Sequence, residues 1–469
     1  MKYDLIVIGL GPAGMAVSAM GTAMGLKVLG IEDHKVGGEC LNYGCIPSKA
    51  LLKAGEANHM ISELEKFGIE FEGKTKVINP LEIVREKVNR IAGPKTMKMF
   101  DKVDMVIGKG KAEFLNKRVI KAGNKKYRGK HIFIASGTEP FLPPIPGLKD
   151  VPDSQKLTNM NIFHQKDAPE SLMVIGGGAI GVEMAQAFSK LGSKVILAQM
   201  DEHLMPLGDA DAAKVLEEKF AEEGIEVYNS TKIKEIKYVD GKIITCTDKG
   251  DFTSEKILVA TGRKPVLEPL KLDNAGIKYD SKGIKVNKFL QTNVKNIYAI
   301  GDCNGIALLS HAAMHQGMLA LMNAINPFPF GKMRYDKYIV PWSVFTKPEI
   351  AQAGLTEKEA LAKGLKFETV IDKFGNYGRL IADGHPEGFI KVLIAKSGKI
   401  YGVTIVGEQA SELIHEWILA IQKGIKIWDI MLTQHSFPTI SLMNKRVAEQ
   451  WAMGKMKSSL LQKIIKFVV

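Results

Sequence analysis

Two strand, glycine-turn, helix, strand units and a change of pattern after residue 340 predict an α/β chain with two Rossmann-like dinucleotide-binding domains followed by an α+β domain. At 469 residues the chain is too long for one hydrophobic core. The first unit begins at once: residues 3 to 8, YDLIVI, form an apolar β run, followed by Gly9, Gly11 and Gly14 in GLGPAG. A helix of small residues from Ala13 to Met24 and a second strand, KVLGIE, ending at Glu32, complete it. Glycines at this spacing let a pyrophosphate approach the backbone at the helix N-terminus, and the acid receives ribose hydroxyls.

Gly37 to Lys49 then reads GGECLNYGCIPSK. Four residues separate Cys40 from Cys45, and the turn formers Asn42 and Gly44 let both sulfurs come within disulfide reach at the start of a helix. A helix N-terminus and the nearby Lys49 stabilise a thiolate, the form that attacks a disulfide or donates to an oxidised partner. The bland alternative for an isolated C-x4-C is a pair of buried free cysteines. Four cysteines in 469 residues argue against a secreted disulfide framework, so any disulfide here is expected to be catalytic.

Ser48 to about Phe67 and residues 80–100 read as helices, and Val103–Val119 and Lys126–Ala135 as strands. Ala135, Ser136 and Gly137 close the latter with small residues, where the chain can pass closely over a bound nucleotide. Pro140, Pro143, Pro144 and Pro146 make a stiff connection and mark a domain boundary.

The second unit runs from the strand LMVI at Leu172 into GGGAIG, with Gly176, Gly178 and Gly181, then a helix through Leu191 and the strand KVILA. Two such units imply two dinucleotides, and hydride transfer is the chemistry that joins them. The strand ends at Gln199 rather than at an acid, with Asp201 and Glu202 just beyond. Gln can still hydrogen-bond a 2'-hydroxyl, and no Arg stands nearby for a 2'-phosphate; this favours NAD and leaves NADP open. ILVATGRKP, Ile257 to Pro265, is another strand ending in small residues, Gly262 among them. TNVKNIYAIGD then runs from Thr292 into Asp302 and a helix from Leu308 to Ile325, with the acid placed for a polyol hydroxyl and the helix N-terminus for a flavin ring. His311 and His315 on that helix have no third ligand, so no metal is assigned.

From Pro341 a strand precedes a helix capped by Thr356 with Glu359 three residues on. Strands at Phe389–Ala395 and Ile400–Val406 and a helix from Ala410 to Lys423 follow.

With the cysteine pair, both fingerprints and the Ala-Ile-Gly-Asp stretch in place, residues 1–450 resemble the class I FAD-dependent pyridine nucleotide disulfide oxidoreductases, nearest their dihydrolipoamide dehydrogenase branch. The resemblance implies a homodimer and a division into 1–145 (FAD domain), 146–268 (NAD(P) domain), 269–340 (FAD and central domain, second part), 341–452 (dimerisation domain) and 453–469 (a basic tail). It implies that Gly9, Gly11, Gly14, Glu32, Lys49, Gly137 and Asp302 bind FAD, and that Gly176, Gly178, Gly181, Gln199 and Gly262 bind NAD. Cys45 is then the thiolate against the flavin and Cys40 the thiol that exchanges with substrate. Lys49 sits near the flavin N5 paired with Glu183, where a cation favours the reduced, anionic ring.

The chain departs from this pattern in one place. Members acting on small disulfides carry a His before a Pro-Thr pair and a Glu five residues later, and the His reaches the partner subunit's cysteines. Here QHSFPTISLMN puts Phe437 and Leu442 at those positions, and His435, two residues upstream, reads as an ordinary polar residue. Phe cannot protonate a leaving thiolate. An NAD(P)H oxidoreductase with a redox disulfide and an atypical acceptor is therefore expected. The alternatives are a true dihydrolipoamide dehydrogenase, a metal ion or quinone reductase, and a redox-sensing flavoprotein without steady turnover. Mercuric reductases use further C-terminal cysteines, and none follows Cys303 here.

A net charge of +13 raises the question of an anionic partner. The lysines are mostly scattered among acids and no nucleic-acid motif is present, so nucleic acid is not expected as a partner. From Met453 the tail MGKMKSSLLQKIIKFVV places apolar residues on one helical face with lysines around them. That pattern fits a helix packed on the protein's own surface or on its dimer partner, with peripheral contact to an anionic membrane as the alternative. With no leader ahead of the first strand and no apolar run long enough to span a bilayer, a cytoplasmic location is expected, at the inner face of the membrane if the tail binds lipid.

Overall fold

The computed structural model describes residues 2–456, except residues 74 and 329 and the side chain of residue 95. Residues 457–469 of the expected tail helix lie outside the described residues; residues 453–456 end the helix Leu442–Met456. The chain forms two compact units, one from residues 1–53, 77–169 and 256–338, the other from residues 54–76, 170–255 and 339 onward.

In the first unit the strand Lys2–Ile8 lies parallel between Val28–Glu32 and Lys125–Ile134, with Val7 opposite both Gly30 and Phe133. Its last four residues are all buried, as expected of a central parallel strand covered on both faces. Asp104–Ile107 extends the sheet on one side. On the other, the first residues of Lys125–Ile134 pair with the antiparallel Val119–Ala122 and the last with the parallel Ile297–Ala299. The fingerprint helix Pro12–Ala23 packs against Ser310–Ile325, and it does so closely because residue 317 is Gly: a Cβ there would stand 2.6 Å from Ala13 O.

Three expected elements divide. The run Val103–Val119 is two strands, Asp104–Ile107 and Glu113–Asn116, parted at Gly108 and Gly110, whose φ of 61° and 94° no strand accommodates. The helix expected over residues 80–100 breaks at Gly93 into Pro80–Ala92 and Pro94–Lys98. The helix expected from Ser48 begins at Cys45, ends at His59 and continues to Phe67 as a 3-10 helix.

In the second unit Ser171–Ile175, Lys194–Ala198 and Glu226–Tyr228 are parallel, with the helix Ala179–Lys190 after the first. An antiparallel sheet of Ile233–Val239, Lys242–Thr247 and Gly250–Ser254 follows. From Trp342 an antiparallel five-stranded sheet is covered by Ala410–Lys423 and Leu442–Met456, and Trp417, Ile390, Ile405 and Trp451 lie in its core. Thr356 and Glu359 make the capping box that their spacing predicts. Lys391 is buried in this unit among Asp209, Asp211 and Glu357, at 3.0, 2.8 and 2.5 Å.

Among the described residues no helix is long and apolar enough to cross a membrane, and no group of three His, Cys, Asp or Glu side chains is placed to hold a metal ion.

Candidate active site

Cys40 lies on the short helix Gly38–Tyr43, and Cys45 is the first residue of Cys45–His59. The two helices are separated only by Gly44, and their sulfurs stand 2.8 Å apart. Asn42 is not a turn residue. It is buried inside the short helix and donates to Val36 O and Gly38 O, at 3.1 and 2.8 Å, fixing the segment that carries Cys40. The hydroxyl of Ser310, first residue of Ser310–Ile325, lies 3.2 Å from Cys45 Sγ.

The two thiols are unequal. Cys45 is pulled down to about 6, chiefly by the hydrogen bond from Cys40; burial opposes this, and Ser310 and the charge of Lys49 assist it. Cys40 is pushed up by the same bond and by burial. In the dithiol state the proton therefore rests on Cys40 and the charge on Cys45.

Beside the cysteines runs a polar chain that motif reading does not reveal. Arg263 is ion-paired with Glu39, the neighbour of Cys40, and its Nε donates to Thr138 Oγ1 at 2.7 Å. Thr138 Oγ1 donates to Asp302 Oδ2 at 3.1 Å, and Asn159 Nδ2 donates to Glu39 Oε2 at 3.1 Å. Burial pushes the Asp302 carboxyl up; Arg263 and the Thr138 bond oppose this, and the charge of Glu39 adds to it. Arg263 thus serves two acids, one beside the redox pair and one at the end of a parallel strand.

The first glycine turn is a cradle. A Cβ on Gly9, at φ 93°, would stand 2.2 Å from Ala135 O, and one on Gly14 would stand 1.9 Å from Gly9 O, so the turn closes only with glycine. Gly11 opens the helix as its N-cap with no side chain capping it, leaving the first N–H groups of the helix available to an anion. Glu32 accepts from Leu10 N at 2.7 Å and His34 N at 2.9 Å, so its carboxylate is fixed at the edge of the turn. Gly137 has φ 67° and open space around its missing Cβ. These residues fit a dinucleotide.

In the second unit the same geometry recurs. Gly178 is the uncapped N-cap of Ala179–Lys190, and a Cβ on Gly181 would meet Gly176 O at 1.8 Å. Gln199 takes the place that Glu32 holds in the first turn: its Oε1 accepts from Gly177 N at 2.8 Å and its Nε2 donates to Asp201 Oδ2 at 2.7 Å. Gly262, which belongs to the first unit, has φ 121° with open space at its Cβ position. Glu183, on Ala179–Lys190, is buried and accepts from Phe345 N at 3.1 Å; Lys49 stands on the redox helix of the first unit.

In the C-terminal domain Phe437 is 79% exposed, ahead of a cis bond to Pro438, and Leu442 opens the last helix against the core. His435 does not face solvent in their stead. Its side chain is 7% exposed, with Nδ1 3.2 Å from Thr433 O and Nε2 3.2 Å from Glu416 Oε2, which also accepts from Asn444 Nδ2 at 2.8 Å.

Two glycine turns that fit a dinucleotide, a close pair of cysteines and a separate antiparallel domain are the arrangement expected of a flavin-dependent oxidoreductase that works through a disulfide. Residues 3–317 match the family described as pyridine nucleotide-disulphide oxidoreductase, and residues 340–447 match that family's dimerisation domain. The chain belongs to this family, with FAD and NAD(P)H as its cofactors. It is 38% identical over 452 residues to a dihydrolipoyl dehydrogenase of Thermus scotoductus, covering 94% of this chain and 95% of that one. It is 31% identical to a mercuric reductase of Bacillus cereus, covering 94% of this chain and 70% of that one. The fold is shared with the HOCl-induced flavoprotein disulfide reductase RclA from Escherichia coli, at a TM-score of 0.85 and 24% identity over 95% of this chain and 99% of that one.

Proposed function

We propose that Cys40 and Cys45 are the redox pair of this enzyme, and that its acceptor takes electrons without a histidine acid from the dimerisation domain. The observation that carries the first half is the inequality of two sulfurs 2.8 Å apart, one held as a thiolate near neutral pH and the other as a thiol. The second half rests on Phe437 and Leu442 at the acid-pair positions and on His435, whose ring nitrogens are both engaged. FAD, when bound, supplies the two-electron centre between nicotinamide and disulfide. Gly9, Gly11, Gly14, Glu32, Gly137 and Asp302 would hold it, and Gly176, Gly178, Gly181, Gln199 and Gly262 would hold the nicotinamide dinucleotide.

The chain's own part is charge placement. Lys49 and the start of its helix favour the thiolate on Cys45, Cys40 carries the exchangeable thiol, and Arg263 holds Glu39 and Asp302 in place. Lys49 and Glu183 are assigned to the catalytic set on the family resemblance. Asp201, bonded to Gln199 Nε2, places a carboxylate just beyond the end of the second unit's strand, which disfavours a 2'-phosphate there and supports NADH as the donor. The dimerisation domain supports a homodimer, and a working dithiol supports a reducing, cytoplasmic compartment.

The test is anaerobic NADH oxidation by the purified protein, with lipoamide set beside a quinone. Lipoamide turnover slower than quinone turnover by about 100-fold or more is expected, the scale of a missing general acid. Lipoamide turnover equal to or faster than quinone turnover would overturn the atypical-acceptor reading.

A further inference from the structure

The proton left by disulfide reduction has to be kept off one sulfur. With NADH as donor the balance is one disulfide and one NADH giving NAD+, one thiol and one thiolate. The S–S bond breaks, the two electrons reduce the sulfurs, and the single proton goes to Cys40.

We propose, on the reading of Cys40 and Cys45 as the redox pair, that Ser310 is a positioning residue whose hydroxyl donates to Cys45 Sγ and keeps the thiolate on that sulfur. The contact is 3.2 Å, and both groups are partly buried, where a hydrogen bond to a charge is worth more than in water. It is also long in sequence. Residue 310 reaches residue 45 because the helices Pro12–Ala23 and Ser310–Ile325 pack closely at Gly317, which fixes where the second of them starts.

Ser310 stands at a helix end. It is the first residue of a 16-residue helix whose N-cap is Leu309, and no side chain caps that end. Around Cys45 the groups are Cys40 from the short helix, Lys49 from its own helix and Ser310 from the third; His311, next to Ser310, is exposed. Of these only Lys49 and Ser310 favour the thiolate without themselves needing a proton from the pair. Lys49 acts as a point charge from one turn away, whereas the hydroxyl acts on Cys45 at contact distance; it lowers Cys40 as well, but there the bond to Cys45 and burial outweigh it and hold that thiol up.

The experiment uses the FAD-loaded holoenzyme, reduced anaerobically and pulsed with iodoacetamide between pH 4.5 and 9, with Cys45 and Cys40 quantified separately by peptide mass spectrometry. In the unaltered protein Cys45 labelling should rise through an inflection near pH 6. Ser310→Ala should move that inflection up by about one pH unit, a tenfold loss of thiolate below it. Ser310→Thr, which keeps a hydroxyl, should stay near the unaltered value, and Ser310→Val, of the same shape without one, should follow Ser310→Ala. The Thr and Val pair carries the test if Ser310→Ala fails to retain flavin. A Cys45 inflection that is the same in the Ala, Val and unaltered proteins overturns the role of Ser310. An unaltered protein whose Cys45 titrates in the ordinary thiol range overturns the redox-pair reading itself, and the two failures are thereby distinct.

Discussion

His435 is held to Glu416, Nε2 to Oε2 at 3.2 Å, and its other ring nitrogen is taken up by Thr433 O. An imidazole with Thr433 O against one ring nitrogen and Glu416 against the other ties the 433–441 turn to the helix Ala410–Lys423 and is turned away from solvent. His435→Gln should therefore lower the melting temperature while leaving turnover with the preferred acceptor within about twofold. Restoring the family pair should do the opposite. Phe437→His combined with Leu442→Glu is expected to raise lipoamide turnover by about 100-fold, the usual scale of a positioned acid, in a steady-state assay with NADH.

On the proposed role of Cys45, its depressed thiol should set the acid side of the activity profile. A thiol whose pKa is lowered to about 6 is charged above that pH and loses its charge as pH falls through it. Turnover should be flat from pH 7 to 8 and should fall about tenfold for each unit below 6, and Lys49→Met should shift this limb upward. A rate profile in saturating NADH reads both.

Arg263 balances two carboxylates at once. Arg263→Met leaves Glu39 beside Asp302 with no cation between them, and FAD affinity should fall by about 10- to 100-fold, equivalent to about 1–3 kcal/mol. Adding Glu39→Gln should recover part of that loss, because it removes one of the two charges. Fluorescence titration of the apoproteins with FAD gives the three affinities.

Lys391 answers three acids from a side chain that is 4% exposed. Lys391→Met should destabilise the protein by about 3 kcal/mol in urea denaturation, since it strands Asp209 in the interior. Burial pulls the lysine's pKa down, but its bonds to Asp211, Glu357 and Asp209 outweigh this and raise it above its ordinary value. Its contribution is therefore fully present below the unfolded lysine's pKa, and the loss should be the same at pH 6 and pH 9.

The two fingerprints could be read directly because their physics is local. A glycine whose Cβ would stand 1.9 Å or 1.8 Å from a carbonyl oxygen, followed by an uncapped helix, is specified within about ten residues of sequence. The capping box at Thr356 is local in the same way. Asp240-Gly241, at φ 50° and 79°, is a two-residue hairpin signal between alternating runs, and it marks the antiparallel sheet of residues 233–254 that the coarse pattern passes over. What no local pattern carries is partnership at long range. Ser310 is 265 residues from Cys45, and Arg263 is 224 from Glu39. Each is an unremarkable polar residue until the parallel sheet and the packing of two helices bring it to the cysteines. Asn42 shows the converse: a turn former by composition, it sits within a helix because its amide finds two carbonyls there.

The most direct test of Cys40 and Cys45 as the redox pair is an anaerobic titration of the purified holoenzyme with NADH, following the flavin absorbance. A disulfide takes up two electrons of its own. The unaltered protein should consume about two NADH per flavin before the flavin is fully bleached, and Cys45→Ser about one. Full bleaching of the unaltered protein at about one equivalent would contradict the assignment, because the cysteines would then hold no electrons from the cofactor.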